Sequence, residues 1–133
     1  MPIPTHPTTS FRLKRTSEAG VLGTLFDLEL GEDGGPLLVE GSKELQQSIA
    51  LGLLMVRGEA WEAPRRGLPW HELVGMKPTN MEVVRFLILD ELRADRRIRQ
   101  VESLELTDDP ARRGLTVRAR VSGVSGEKVL VSL

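Results

Sequence analysis

Leu115-Thr116-Val117-Arg118-Ala119-Arg120-Val121 alternates apolar and polar residues without a break. A period of two marks a strand with one buried face, so Leu115, Val117, Ala119 and Val121 are expected to point into a core while Thr116, Arg118 and Arg120 meet water. Strands are expected on either side. Glu127 to Leu133 alternates around Val129, Val131 and Leu133. Ile98 to Leu106 is less regular: Ile98, Leu104 and Leu106 share one phase and Val101 the other, which predicts a bulge near residues 100–103. Asp108-Asp109-Pro110 with Gly114, and Gly123 to Gly126, supply turn residues for the two connections.

Upstream the period changes from two to that of a helix. Met81, Val84, Ile88 and Leu92 form a stripe widened by Val83 and Leu87, and Thr79 with Glu82 has the spacing of a capping box, which predicts a helix over 80–94. Leu45, Ile49, Gly52, Leu53 and Val56 predict another over 43–57, begun by Gly41-Ser42, ended by Gly58, and exposing Lys43, Glu44, Gln46 and Gln47. Between them, Trp61, Pro64, Arg65, Arg66, Pro69, Trp70 and Pro78 break any single element, so a structured loop is expected, with one helical turn from Trp70 to Val74 closed by Gly75. Phe26, Leu28 and Leu30 alternate with Asp27 and Glu29 in a strand over 24–30, which a Gly-rich turn at 31–36 returns into a short strand over 37–39. Pro2, Pro4 and Pro7 make residues 1–20 an extended arm. It is either a disordered tail or a strap ordering on a neighbouring subunit through Phe11 and Leu13, which stand among Arg12, Lys14 and Arg15. The expected architecture is α+β: two main helices packed on a small, mostly antiparallel sheet in one domain over 21–133, preceded by that arm.

The 133 residues carry 18 Lys+Arg and 19 Asp+Glu, so a net charge of −1 provides no global field toward nucleic acid or acidic lipid. No apolar run approaches the roughly 20 residues of a membrane span. Without cysteine there is no disulfide, no thiolate metal site and no cysteine nucleophile, and an intracellular or virion protein is expected. The two histidines, His6 and His71, form no metal-ligand spacing, no serine sits in a nucleophile elbow, and the Gly-rich stretches lack a phosphate-loop ending, so neither metal nor cofactor is expected. Glu59 and Glu62 are the carboxylates for a glycosidase reading, which needs two acids facing a cleft. A nucleic-acid reading would rest on the arginines from Arg93 to Arg120, but acids interleave with them and the chain has no tyrosine for stacking bases.

The order of the segments carries more than any one of them. Leu53-Leu54-Met55-Val56-Arg57-Gly58-Glu59-Ala60-Trp61, then Gly67-Leu68-Pro69-Trp70, then the run from Arg97 to Leu106 resembles the baseplate wedge family of contractile-tailed phages. These are the sheath-initiator proteins, with relatives in phage-like injection machines and type VI secretion. The likeness extends over about residues 24–133. Met55 stands where such proteins often have threonine, and Ala60 and Trp61 replace the common basic or proline residues, as in the Mu-like branch. The resemblance implies a non-catalytic protein of the virion tail baseplate, present in the host cytoplasm during assembly. It also implies contacts with other wedge proteins, the tail sheath protein and the tail tube, and roughly six copies per baseplate built from a chain that is monomeric alone. Some members carry a lysozyme-like label, which no acid pair here supports.

Two partner-binding regions are expected beside that likeness. The chain ends in an alternating segment with no charged tail, so the strand bearing Val129, Val131 and Leu133 is either an edge that a sheath subunit extends by strand addition or an ordinary covered hairpin. The loop with Arg57, Glu59, Trp61, Arg65, Arg66 and Trp70 is either a wedge contact or a cap in which both tryptophans complete the core.

Overall fold

The structure, a computed structural model, describes residues 9–17, 25–74, 80–109 and 114–133. It is α+β. In chain order the elements are β1 (Thr9–Phe11), β2 (Leu13–Ser17), β3 (Leu25–Leu28), β4 (Leu38–Glu40), α1 (Gly41–Leu54), α2 (Trp70–Val74), α3 (Met81–Ala94), β5 (Ile98–Asp109), β6 (Gly114–Gly123) and β7 (Lys128–Ser132). The strands form small antiparallel sheets, β5-β6-β7 being the largest.

Alternation in β6 does what its period dictates. Val117, Ala119 and Val121 are sealed on one face, and their register partners on β7 continue it, Ala119 opposite Val131 and Val121 opposite Val129. Leu133 extends the pairing past β7, exchanging hydrogen bonds of 2.8 and 2.9 Å with Val117. Against this face pack Leu45, Ile49 and Leu53 of α1, Val84, Ile88 and Leu92 of α3, and Leu68, Trp70 and Leu73. Each such side chain contributes roughly 1.5–3 kcal/mol by leaving water. The phase slip in β5 is a pair of register shifts, between Ile98 and Gln100 and between Val101 and Ser103.

The N-terminal unit is built differently. Residues 9–17 run along a partner strand that is split in two: β1 pairs with β4 and β2 with β3, so the chain from 29 to 37 leaves the ladder opposite Arg12 and returns. Three backbone bonds close the junction, Arg12 N–H to the Leu37 carbonyl, Glu29 N–H to the Arg12 carbonyl and Leu37 N–H to the Glu29 carbonyl. Residues 9–17 are thus extended and hydrogen-bonded to their own chain. Residues 1–8 and 18–20 lie outside the described ones.

Three expectations need correction. Helix α1 stops at Leu54, because the Met55 carbonyl accepts from Leu68 N–H and Arg57 N–H donates to the Leu68 carbonyl, both at 2.9 Å. Pairing with Leu68 therefore outcompetes another helical turn, and Gly58 belongs to the turn that follows. Glu44, expected on the outer face, is 5% exposed and buried in the first turn of α1. Helix α3 has Asn80 as its N-cap with no side-chain capping bond, and Thr79 of the expected capping box lies outside the described residues.

Candidate functional site

A groove of about 380 Å³ lies between the N-terminal unit and the edge of the main sheet. Arg12, Leu13, Arg15 and Phe26 form one wall, Lys43, Gln46, Gln47 and Ala50 of α1 its floor, and Val131 and Ser132 of β7 the other wall. The β7 wall is a strand edge. Because Val129, Val131 and Leu133 direct their backbone groups at β6, those of Leu130 and Ser132 point the other way. Side chains hold both carbonyls: the Gln46 amide donates to Leu130 at 2.6 Å and the Arg15 guanidinium to Ser132 at 2.7 Å. Opposite, the Gln47 amide donates to the Phe11 carbonyl at 2.8 Å and accepts from Leu13 N–H at 2.9 Å, standing in for a neighbouring strand. Arg15 also lies 5.6 Å above the Phe26 ring.

Val129, Val131 and Leu133 themselves are core residues, each about 5% exposed or less. What β7 offers the groove is its backbone. The groove lies along α1 from Lys43 to Ala50, and the loop with the other expected contact residues begins beyond the far end of that helix.

That loop separates its two tryptophans. Trp70 is buried at 6% exposure and its indole N–H donates to the Leu53 carbonyl at 2.9 Å, which closes the core over the end of α1. Trp61 is 85% exposed. Successive turns stiffen the loop, with Glu59, Ala63 and Arg66 N–H donating to the Val56, Ala60 and Ala63 carbonyls. At its base Gly67 has φ +90°, and a Cβ there would stand 2.5 Å from the Met55 carbonyl oxygen. Arg57, Glu59 and Arg65 are exposed, and Arg57 Nε donates to the Gly67 carbonyl at 3.2 Å. Arg66 is anchored: it lies 3.6 Å from the buried Glu91, and both crowd the place where a Cβ at Gly52 would sit. Glu62, paired with Glu59 in the glycosidase reading, is exposed as well.

A polar clamp joins the two halves. Arg97, at the α3–β5 junction, pairs with Glu44 of α1, donates to Ser48 Oγ at 2.6 Å and reaches Asp95 Oδ2 at 3.0 Å. Glu44 in turn accepts from Ser10 Oγ at 3.0 Å, so one arginine fixes β1, α1 and the start of β5. Burial works against the Asp95 charge, but hydrogen bonds from Arg97 and the charges of Arg97 and Arg66 outweigh it and hold the carboxyl below 3.8. Burial likewise opposes the Arg97 charge, and Asp95 and Glu44 overcome it, which raises its pKa. Neither this clamp nor Gln46 and Gln47 stood out beforehand. Arg97 reads as one of the arginines interleaved with acids after residue 93, and the glutamines as a solvated helix face. The only early signal was that Glu44 and Ser48 share a helix face by their i, i+4 spacing.

Among the described residues no group of three or more His, Cys, Asp and Glu is placed to hold a metal ion, and no helix is long and apolar enough to cross a membrane. No curated protein matches the chain. The family model for contractile injection system sheath initiators matches residues 17–126, from the end of β2 to the turn before β7. With most of its length covered by that match, the chain belongs to the contractile injection system sheath initiator family.

Proposed function

We propose that this structural component of a contractile tail serves as an inner wedge protein of the baseplate and starts the sheath by accepting an extended segment of a sheath subunit along the outer edge of β7. The observation that carries the proposal is that edge. The Leu130 and Ser132 carbonyls are occupied only by side chains, those of Gln46 and Arg15, and the groove beside them has room for more chain. An incoming strand at the usual spacing of about 4.8 Å would replace those side-chain contacts with a backbone ladder. Val129, Val131 and Leu133 hold the template in place from the core side.

The wedge contact is assigned to the loop at the other end of α1. Trp61 is its anchor, Arg57, Glu59 and Arg65 its polar surround, and Arg66 and Trp70 the residues that brace it from within. The partners are the tail sheath protein, other wedge proteins and the tail tube, with roughly six copies in the assembled baseplate, monomeric before assembly in the host cytoplasm.

Truncation after Gly126 would remove buried Val129, Val131 and Leu133 together with the edge, so a point substitution is the cleaner test. Leu130 is 43% exposed and its N–H points away from β6. Leu130→Pro therefore removes a donor from the free edge and leaves the β6 ladder intact. Loss of sheath polymerisation on baseplates carrying the folded variant is expected. Normal sheath on such baseplates would refute strand addition at β7.

A further inference from the structure

Nine large apolar side chains are exposed among the described residues, and four of them, Phe11, Leu28, Leu30 and Leu38, belong to the N-terminal unit. Scattered exposed leucines would need no explanation, but these are gathered around one junction. Phe11 and Leu38 are direct cross-strand partners. Leu28 and Leu30 flank Glu29, whose backbone bonds to both Arg12 and Leu37. Val39, the next residue after Leu38, is 5% exposed and Ser10 beside Phe11 bonds to Glu44 of α1, so Phe11 and Leu38 alternate to the face turned away from the helix.

The charges of the strand-turn-strand segment beside the patch have one sign. From Asp27 to Glu40 the chain carries five carboxylates and no lysine or arginine. Lys14 stands opposite Asp27, and Arg12 lies 3.9 Å from Glu29. Glu32, Asp33 and Glu40 are exposed and have no cationic partner among the described residues.

We infer that this outer face is a second docking surface and that its occupant is a basic amphipathic segment of another tail protein, whose apolar residues cover Phe11 and Leu38 while its lysines or arginines meet Glu40, which has their strand phase, and the nearby Glu32 and Asp33. A second copy of the chain is disfavoured by the same charges, since self-association would bring like carboxylates together. An anionic membrane surface is disfavoured for the same reason. Phe11 and Leu38 are not among the residues lining the groove at β7, which is lined by Arg12, Arg15 and Lys43 and suits an acidic segment.

The test is binding of the purified full-length chain to short overlapping peptides spanning the sheath and baseplate proteins encoded with it, read by fluorescence anisotropy at low and high salt. The expected result is capture of peptides with a net positive charge and apolar residues, with Kd raised about tenfold by Leu38→Ser and again by Glu32→Lys. Both side chains are exposed, so an unchanged Tm is expected in each variant. Leu130→Pro is the control and leaves this binding unaffected, which separates the surface from the strand-addition edge. Three results would each overturn the inference: bound peptides that are neutral or acidic, affinity unchanged by both substitutions, or a dimer in sedimentation equilibrium that Leu38→Ser dissolves.

Discussion

The two halves of this molecule are held by different forces. Around β5, β6 and β7 the helices bury a continuous apolar face, and Leu68, Ile88, Ala119 and Val121 are completely sealed. In the N-terminal unit Val39 alone is a buried apolar residue among those described, Phe26 is half-buried, and attachment depends on Ser10, Gln47, Arg15 and the Arg97 clamp. Burial is non-directional and tolerates small shifts, whereas hydrogen bonds to exposed carbonyls can be exchanged for a partner's. The first half is therefore a scaffold that carries the β7 edge and the Trp61 loop, and the second is a unit attached to it mainly by exchangeable polar contacts.

Breaking the scaffold should have the largest effect. Ile88→Ala removes a sealed side chain at the meeting of α3 and the sheet and is expected to cost about 4 kcal/mol, read as a fall in the denaturant midpoint of the whole chain. Arg97→Met tests the clamp. It leaves Glu44, 5% exposed, without its cation and is expected to cost about 3 kcal/mol, with hydrogen exchange rising first in residues 9–17. Uniform loss of protection instead would mean that the halves are one cooperative unit.

The same clamp has a pH signature. Because the folded Asp95 carboxyl titrates below its ordinary 3.8, its contribution is present above that value and is lost as the pH falls through the folded pKa. Protection factors in residues 9–17, measured against the intrinsic exchange rate at each pH, should therefore fall below pH 3.8 and stay flat at neutral pH. Gln47→Ala is a milder version, removing two bonds to Phe11 and Leu13, and should cost about 1 kcal/mol, confined to that strand. Trp61→Ala should change stability by less than about 0.5 kcal/mol while weakening binding to a wedge protein, whereas Trp70→Ala should lower Tm.

Much of the scaffold was legible in residue order. The alternation of Val117, Ala119 and Val121, the stripe of Val84, Ile88 and Leu92 and the slip at Val101 each follow from one element's own period. What escaped was set by contacts distant in sequence. Nothing near Met55 signals that Leu68 will take its carbonyl and end the helix, and nothing in Gln46 or Gln47 distinguishes a solvated glutamine from one that covers a strand edge. The candidate loop was identified as a unit, but the split between exposed Trp61 and buried Trp70 depends on where the end of α1 lies in space. The apolar face at Phe11 and Leu38 was hidden for the same reason, since strand alternation gives two faces without saying which a helix will cover.

The root and tip of the 55–68 loop face different demands on their sequence. At Gly67 every other residue would collide with the Met55 carbonyl, so that position is closed to change for any protein keeping this helix end. Trp61, 85% exposed and outside the core, can be exchanged without disturbing the fold. Under the proposed wedge contact, a lineage meeting a new partner retunes its grip one side chain at a time, on a loop whose attachment cannot drift.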